Sequence, residues 1–282
     1  MLGKLLKYEW RGLRMPFVIL LAVLVSTTVL TCSMILTINP RYDEAVTWFS
    51  TMALMLSIFL YYFGIIGCTI GTVLIVAIRF YKTCYTDQGY LTHTLPVSAK
   101  ELLSAKILAA FVTELLMMLA IAASVVIIIQ VAAHHIFSFV PYSYDEFTRL
   151  LMREFAYAFR DFKEDLGISL GLYIVYWIIL LLISMISNIV TIFGCVSLGQ
   201  LYAKHRIVGA IIAYFAQRFI MQILNYFVTL PMYTRMLSGY YDTTFFGLVS
   251  PTMILTMILT ILVAVVMYFV NLHMMTKRLN LE

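Results

Sequence analysis

ILAAFVTELLMMLAIAASVVIIIQVAA, residues 107–133, carries one ionisable side chain, Glu114. A hydrocarbon core about 30 Å thick takes roughly 20 apolar residues of helix, so this stretch is long and apolar enough to cross a bilayer. Five further runs have the same character: residues 17–38, 52–78, 167–198, 207–230 and 252–272. Backbone N–H and C=O groups find no partner in hydrocarbon, so such runs must satisfy them internally as helices. The expected class is an all-α membrane protein with six transmembrane helices, residues 1–282 forming a single transmembrane domain. Composition agrees, with 63% hydrophobic and 12% charged residues against about 25% charged in soluble domains. The run at 167–198 exceeds what a bilayer requires and is expected to tilt, bend or extend beyond it. The run at 17–38 is too long for the core of a cleavable signal and lacks a small-residue cleavage pattern, so it is expected to be a true span.

Lys and Arg set the orientation. With the N-terminus inside, the inner segments hold Lys4, Lys7, Arg11, Arg14, Arg79, Lys82, Lys100, Lys106, Lys204, Arg206, Lys277 and Arg278. The outer loops hold half as many, Arg41, Arg149, Arg153, Arg160, Lys163 and Arg235. A multi-pass protein of the cell membrane with both termini cytoplasmic is expected.

Two segments outside the spans are amphipathic at 100° per residue. In residues 1–14, Leu2, Leu5, Leu6, Trp10 and Leu13 share one face, and Lys4, Lys7, Arg11 and Arg14 the other. This pattern predicts an interfacial helix with its cations toward anionic headgroups. Glu9 falls inside the apolar arc, where a carboxylate either meets protein or reaches out to water. Residues 134–166 form a second segment, expected outside the membrane. There Phe147, Leu151, Phe155, Phe159, Phe162 and Leu166 oppose a basic face, as in a capping interfacial helix or an outer gate.

Soluble-type catalytic signatures are missing. There is no G-x-x-x-x-G-K-S/T, no H-E-x-x-H and no G-x-S-x-G, so ATP binding and hydrolysis, if used, belong to another chain. His134 and His135 are neighbours in sequence and point about 100° apart on a helix, poor geometry for a shared metal. Cys32, Cys68 and Cys195 lie in apolar runs and Cys84 in a basic loop, with neither zinc nor disulfide spacing. No catalytic residue, metal site or cofactor is expected in this chain, and nucleic acid is not an expected partner.

Polar residues within spans are costly and therefore candidates for function. Ser184, Ser187, Asn188 and Thr191 form one helical stripe, and Tyr214, Arg218, Gln222 and Asn225 another. The first reads as interhelical hydrogen bonding; the second, because it holds an arginine, as cavity lining or a buried network. Glu114 and Arg218 lie at similar depth, roughly 12 and 16 Å along their helices, and are expected to pair within or across protomers. Gly64, Gly67 and Gly71 place small residues along one side of the second span, with Gly67-x-x-x-Gly71 suited to close helix approach.

The segment 79–106 is the longest expected inner loop. Ser98 and Glu101 fit a capping box that starts a helix running into the third span. Its stretch Asp87-Gln88-Gly89-Tyr90-Leu91-Thr92-His93-Thr94-Leu95-Pro96-Val97 resembles the cytoplasmic loop of ABC-2 type permeases from Gram-positive bacteria. Lys7-Tyr8-Glu9-Trp10-Arg11 is similar to the start of those permeases. Ser197-Leu198-Gly199-Gln200-Leu201, with Lys204-His205-Arg206 and Gly209-Ala210, is similar to their junction between the fourth and fifth helices. Gln88 and His93 depart from the acidic and apolar residues of that pattern. The resemblance implies a coupling helix between spans two and three, with Asp87, Gln88, Gly89 and Tyr90 seated in a cleft of an ABC ATPase subunit and Glu9 in a connecting helix. It implies a dimer of permeases, homo- or heteromeric, surrounded by membrane lipids. It also implies Mg-ATP bound in the partner ATPase, and export of an amphiphilic or peptide-like substrate. The alternatives are a scaffold or sensor subunit without a pathway, and an ion-coupled secondary transporter. The latter is disfavoured because no pair of Gly/Pro-broken half-helices is evident.

Overall fold

The computed structural model describes residues 2–38, 44–86, 88–89, 97–138, 146, 148–150, 152–157, 160, 169–202, 205–237 and 245–277. Six long helices carry them: α1 (Leu2–Thr37), α2 (Glu44–Tyr85), α3 (Ala99–Phe137), α4 (Leu170–Gly199), α5 (Arg206–Leu237) and α6 (Phe245–Lys277). Each is long and apolar enough to cross a membrane, and no strand occurs among the described residues. The chain is a multi-pass, all-α membrane protein.

The helices outrun the hydropathy. α2 covers 42 residues, because intrahelical hydrogen bonds continue past the apolar stretch until the sequence supplies a stop. α3 starts where Ser98 caps it. The Glu101 backbone N–H donates to Ser98 Oγ at 3.3 Å, and the Ser98 N–H donates to Glu101 Oε2 at 3.3 Å. These are the two reciprocal bonds of a capping box. Residues 2–14 are not a separate element: they are the first turns of α1, which continues through Pro16. A proline within a helix forfeits one hydrogen bond, here to the carbonyl of Gly12, and the neighbouring turns carry the helix across.

Packing gathers the chain into two compact units. One comprises Leu6–Val76 and Val112–Glu154; the other comprises Met1–Leu5, Ala77–Phe111 and Phe155–Glu282. The chain passes from one to the other within α1, α2 and α3 and again between Glu154 and Phe155.

In the unit built on Leu6–Val76, α1 buries a stripe of helical period: Glu9, Leu13, Leu24, Thr28, Thr31 and Ile35, with Phe17 and Leu20 partly covered. Lys4, Lys7, Arg11 and Arg14 are exposed, as their opposite arc requires. Leu24, Cys68 and Met117 form the core, flanked by Phe17, Leu20, Tyr61, Ile65, Ala120 and Ile121. Polar side chains tie the helices together. Thr31 Oγ1 donates to the Ser57 carbonyl at 3.2 Å, the Tyr61 and Ser124 hydroxyls share a bond of 2.7 Å, and His135 Nε2 meets the Ile38 carbonyl at 2.7 Å. His135 therefore joins the ends of α3 and α1.

The glycines of α2 divide differently from their spacing. A Cβ on Gly64 would stand 3.0 Å from Thr27 Oγ1, and one on Gly71 2.9 Å from Leu20 Cδ2, whereas Gly67 has nothing within 4 Å. Gly64 and Gly71, seven residues apart and so on one helical face, form the approach to α1. Gly67 points away, so the Gly67-x-x-x-Gly71 pair is not the contact. Gly71→Leu is expected to destabilise the protein by about 1–3 kcal/mol through overpacking. Gly67→Leu should unfold within about 0.5 kcal/mol of the wild type; equal thermal shifts for the two in detergent would refute this division.

In the other unit, α4 packs against both α5 and α6. Its C-terminal half is accordingly buried almost without interruption from Ser187 to Gly199, Asn188 and Leu198 being partly exposed. Two close approaches permit this. A Cβ on Gly194 would meet Met267, a flexible side chain, whereas one on Gly199 would stand 2.5 Å from the Ala210 backbone nitrogen. Most of the segment 134–166 that carries the outer amphipathic pattern lies outside the described residues, including Phe147, Leu151, Phe159, Phe162 and Leu166. Within it Phe155, Arg149 and Arg153 are all exposed.

Candidate functional site

The end of α2, from which the 86–97 segment departs, is anchored by a buried polar chain. Tyr85 donates from its hydroxyl to Ser197 Oγ at 2.8 Å. Ser197 Oγ donates to Asn271 Oδ1 at 2.6 Å. The Asn271 Nδ2 group donates to the Met267 carbonyl at 3.0 Å and the Val190 carbonyl at 3.3 Å. Ser197 and Asn271 are fully buried, and Tyr85 nearly so. An amide and two hydroxyls with their hydrogen bonds satisfied fix one geometry in an apolar setting, since any displacement orphans a buried group. Thus α2, α4 and α6 are joined at one point by directional bonds.

Aromatic packing reinforces the joint. The rings of Phe80 and Phe193 stack with centroids 4.0 Å apart and planes 8° from parallel, and Tyr85 meets Phe80 edge-on at 6.0 Å. The start of α3 is tied in beside it, where the buried Lys106 ammonium donates to Thr83 Oγ1. Beyond Tyr85, Gln88 is exposed and Gly89 buried, the Gly89 N–H donating to the Thr86 carbonyl at 2.6 Å. Asp87 and Tyr90 lie outside the described residues. Glu9 is buried at 6% exposure, which places it against protein rather than reaching out to water.

A second polar cluster lies near the middle of the α4–α5 pair. Arg218 donates from Nη2 to Asn188 Oδ1, and its guanidinium carbon lies 5.0 Å from the centroid of the Tyr214 ring. Arg218 is itself exposed, so it is not part of a buried network; its Asn188 bond and the cation–π contact orient it. Gln222, one turn on, is exposed too, while Asn225 is half-buried with its Oδ1 unpartnered. Glu114 belongs to the other unit. Ser184 and Thr191 spend their hydroxyls on their own helix, donating to the Leu181 and Ser187 carbonyls at 2.8 Å. Back-bonding of this kind satisfies a hydroxyl without a partner helix, so these two do not bridge helices through those bonds.

The sequence reading missed Tyr85, Asn271 and Gln217. Asn271 had a signal, a carboxamide at the end of the apolar run 252–272, where a polar group calls for a partner. Gln217 is buried with Oε1 unpartnered. Among the described residues no cluster of three or more His, Cys, Asp or Glu side chains is placed to hold a metal ion. Comparison with protein-family profiles, curated proteins and solved structures finds no match for this chain.

Proposed function

We propose that this chain is the permease subunit of an ATP-binding-cassette transporter of the ABC-2 type, powered by a separate ATPase. Its support is the rigid root of the 86–97 segment: Tyr85, Ser197 and Asn271 tie the point where that segment leaves α2 to two further apolar helices. A force applied to the segment is thereby delivered to α4 and α6 together, as a motor-driven rocking motion requires. The ABC-2-like stretch from Asp87 to Val97 occupies this position. In this reading both termini and the segment face the cytoplasm, following the distribution of Lys and Arg. The chain works as a dimer in the cell membrane and exports an amphiphilic or peptide-like substrate.

The test is to look for a P-loop ATPase encoded beside this chain and to co-purify the two. Tagged wild type should retain the ATPase, and a variant with both Asp87→Ala and Tyr90→Ala should lose at least about 90% of it, as truncation of interface hot spots does. Vesicles containing the complex should move substrate only with ATP. Retention of the ATPase by the double variant removes the coupling role. Complex formation without ATP-driven movement points instead to a scaffold subunit.

A further inference from the structure

Arg218 is twelve residues into α5, roughly 18 Å along its axis, against a half-thickness of about 15 Å for the hydrocarbon core. A guanidinium at that depth needs a counter-charge or a polar surround. Within its own unit the one carboxylate among the described residues is Glu101, which is engaged at Ser98. Asn188 and Tyr214 orient the guanidinium without neutralising it. At 100° per residue, Ile211, Phe215, Arg218, Phe219 and Gln222 fall on one arc of α5, and all five are exposed. On this arc the cation stands at one edge beside Ile211 and Gln222, and the two aromatic rings lie toward the other edge.

We propose that this arc binds an anionic amphiphile. Its phosphate or carboxylate head is held by Arg218 and Gln222, and its acyl chain lies along Phe215 and Phe219. Asn188 and Tyr214 are positioning residues, which keep the guanidinium turned to the head. A planar guanidinium presents five N–H donors, enough to hold Asn188 and grip a carboxylate or phosphate with two parallel bonds. The identification of this amphiphile as cargo rests on the transport reading; its binding is a property of this chain alone.

The experiment therefore uses the purified full chain, without ATPase, in phosphatidylcholine nanodiscs. Doxyl-labelled stearate at pH 9, where it is ionised, is compared with its methyl ester by the immobilised fraction of the spin-label spectrum. The wild type should bind stearate about tenfold more tightly than the ester, the size of one charge-assisted hydrogen bond. Arg218→Gln should abolish that preference, and Arg218→Lys should keep part of it. Displacement of stearate by phosphatidylglycerol would name a bilayer headgroup as the natural anion, and resistance a free amphiphile; both retain the anion site. Equal binding of stearate and ester by the wild type overturns the proposal, because Arg218 is then already neutralised, by Glu114 or by a second copy of the chain. Since that comparison needs no variant, misfolding cannot mask it. Loss of ATPase co-purification or of ATP-driven movement would leave it unchanged.

Discussion

Gly199→Ala is expected to be more disruptive than the same change at Gly194, Gly209 or Gly171, lowering stability by about 3 kcal/mol or preventing assembly. Overpacking usually costs about 1–3 kcal/mol because side chains give way. Here the added carbon would stand 2.5 Å from the Ala210 nitrogen and 2.7 Å from its Cα, and these are backbone atoms of α5. No rotamer change relieves such a contact, so the α4–α5 corner itself must open. Gly209, whose own Cβ would lie 2.9 Å from the Gly199 carbonyl oxygen, should respond in the same direction and by less. Gly171→Ala, with nothing within 4 Å, should be silent or slightly stabilising through helix propensity. Thermal unfolding of the three variants in one detergent provides the measurement. A Gly199→Ala protein that melts with the wild type would mean the corner is looser than described.

The second large effect is expected at Asn271. Replacing it by Leu keeps the branched heavy-atom shape and removes three hydrogen bonds, one accepted from Ser197 and two donated to carbonyls. Each buried group left without a partner costs about 1–3 kcal/mol. The Met267 and Val190 carbonyls sit within helices, so the main loss is at Ser197, and a total of about 2–4 kcal/mol is expected. Tyr85→Phe, which deletes one hydroxyl and leaves the ring against Phe80, should cost about 1 kcal/mol. Because both act through Ser197, the double variant should fall short of the sum by at least about 0.5 kcal/mol. Strict additivity would show that the three side chains do not act as one joint. On the proposed transport reading, the same Asn271 change should weaken ATP-driven substrate movement more than ATPase binding, since the segment proposed to meet the motor is left intact.

The chain by itself determined what depends on near neighbours. Hydropathy located all six helices, and the Ser98–Glu101 box set the start of α3, because capping is complete within four residues. The cationic and apolar arcs of residues 1–14 follow from helical period alone, and so does the place of Glu9 at the head of the buried stripe of α1. Packing decided the rest. Tyr85 meets Ser197 across 112 positions and Ser197 meets Asn271 across 74, distances over which no periodicity carries information. The same holds for which glycine of α2 faces α1, and for Asn188 as a hydrogen-bond partner of Arg218. An apolar helix can be rotated about its axis at little local cost, so its azimuth is set only when neighbouring helices close around it. The contacts that give this protein its joint and its exposed cation come into being at that step.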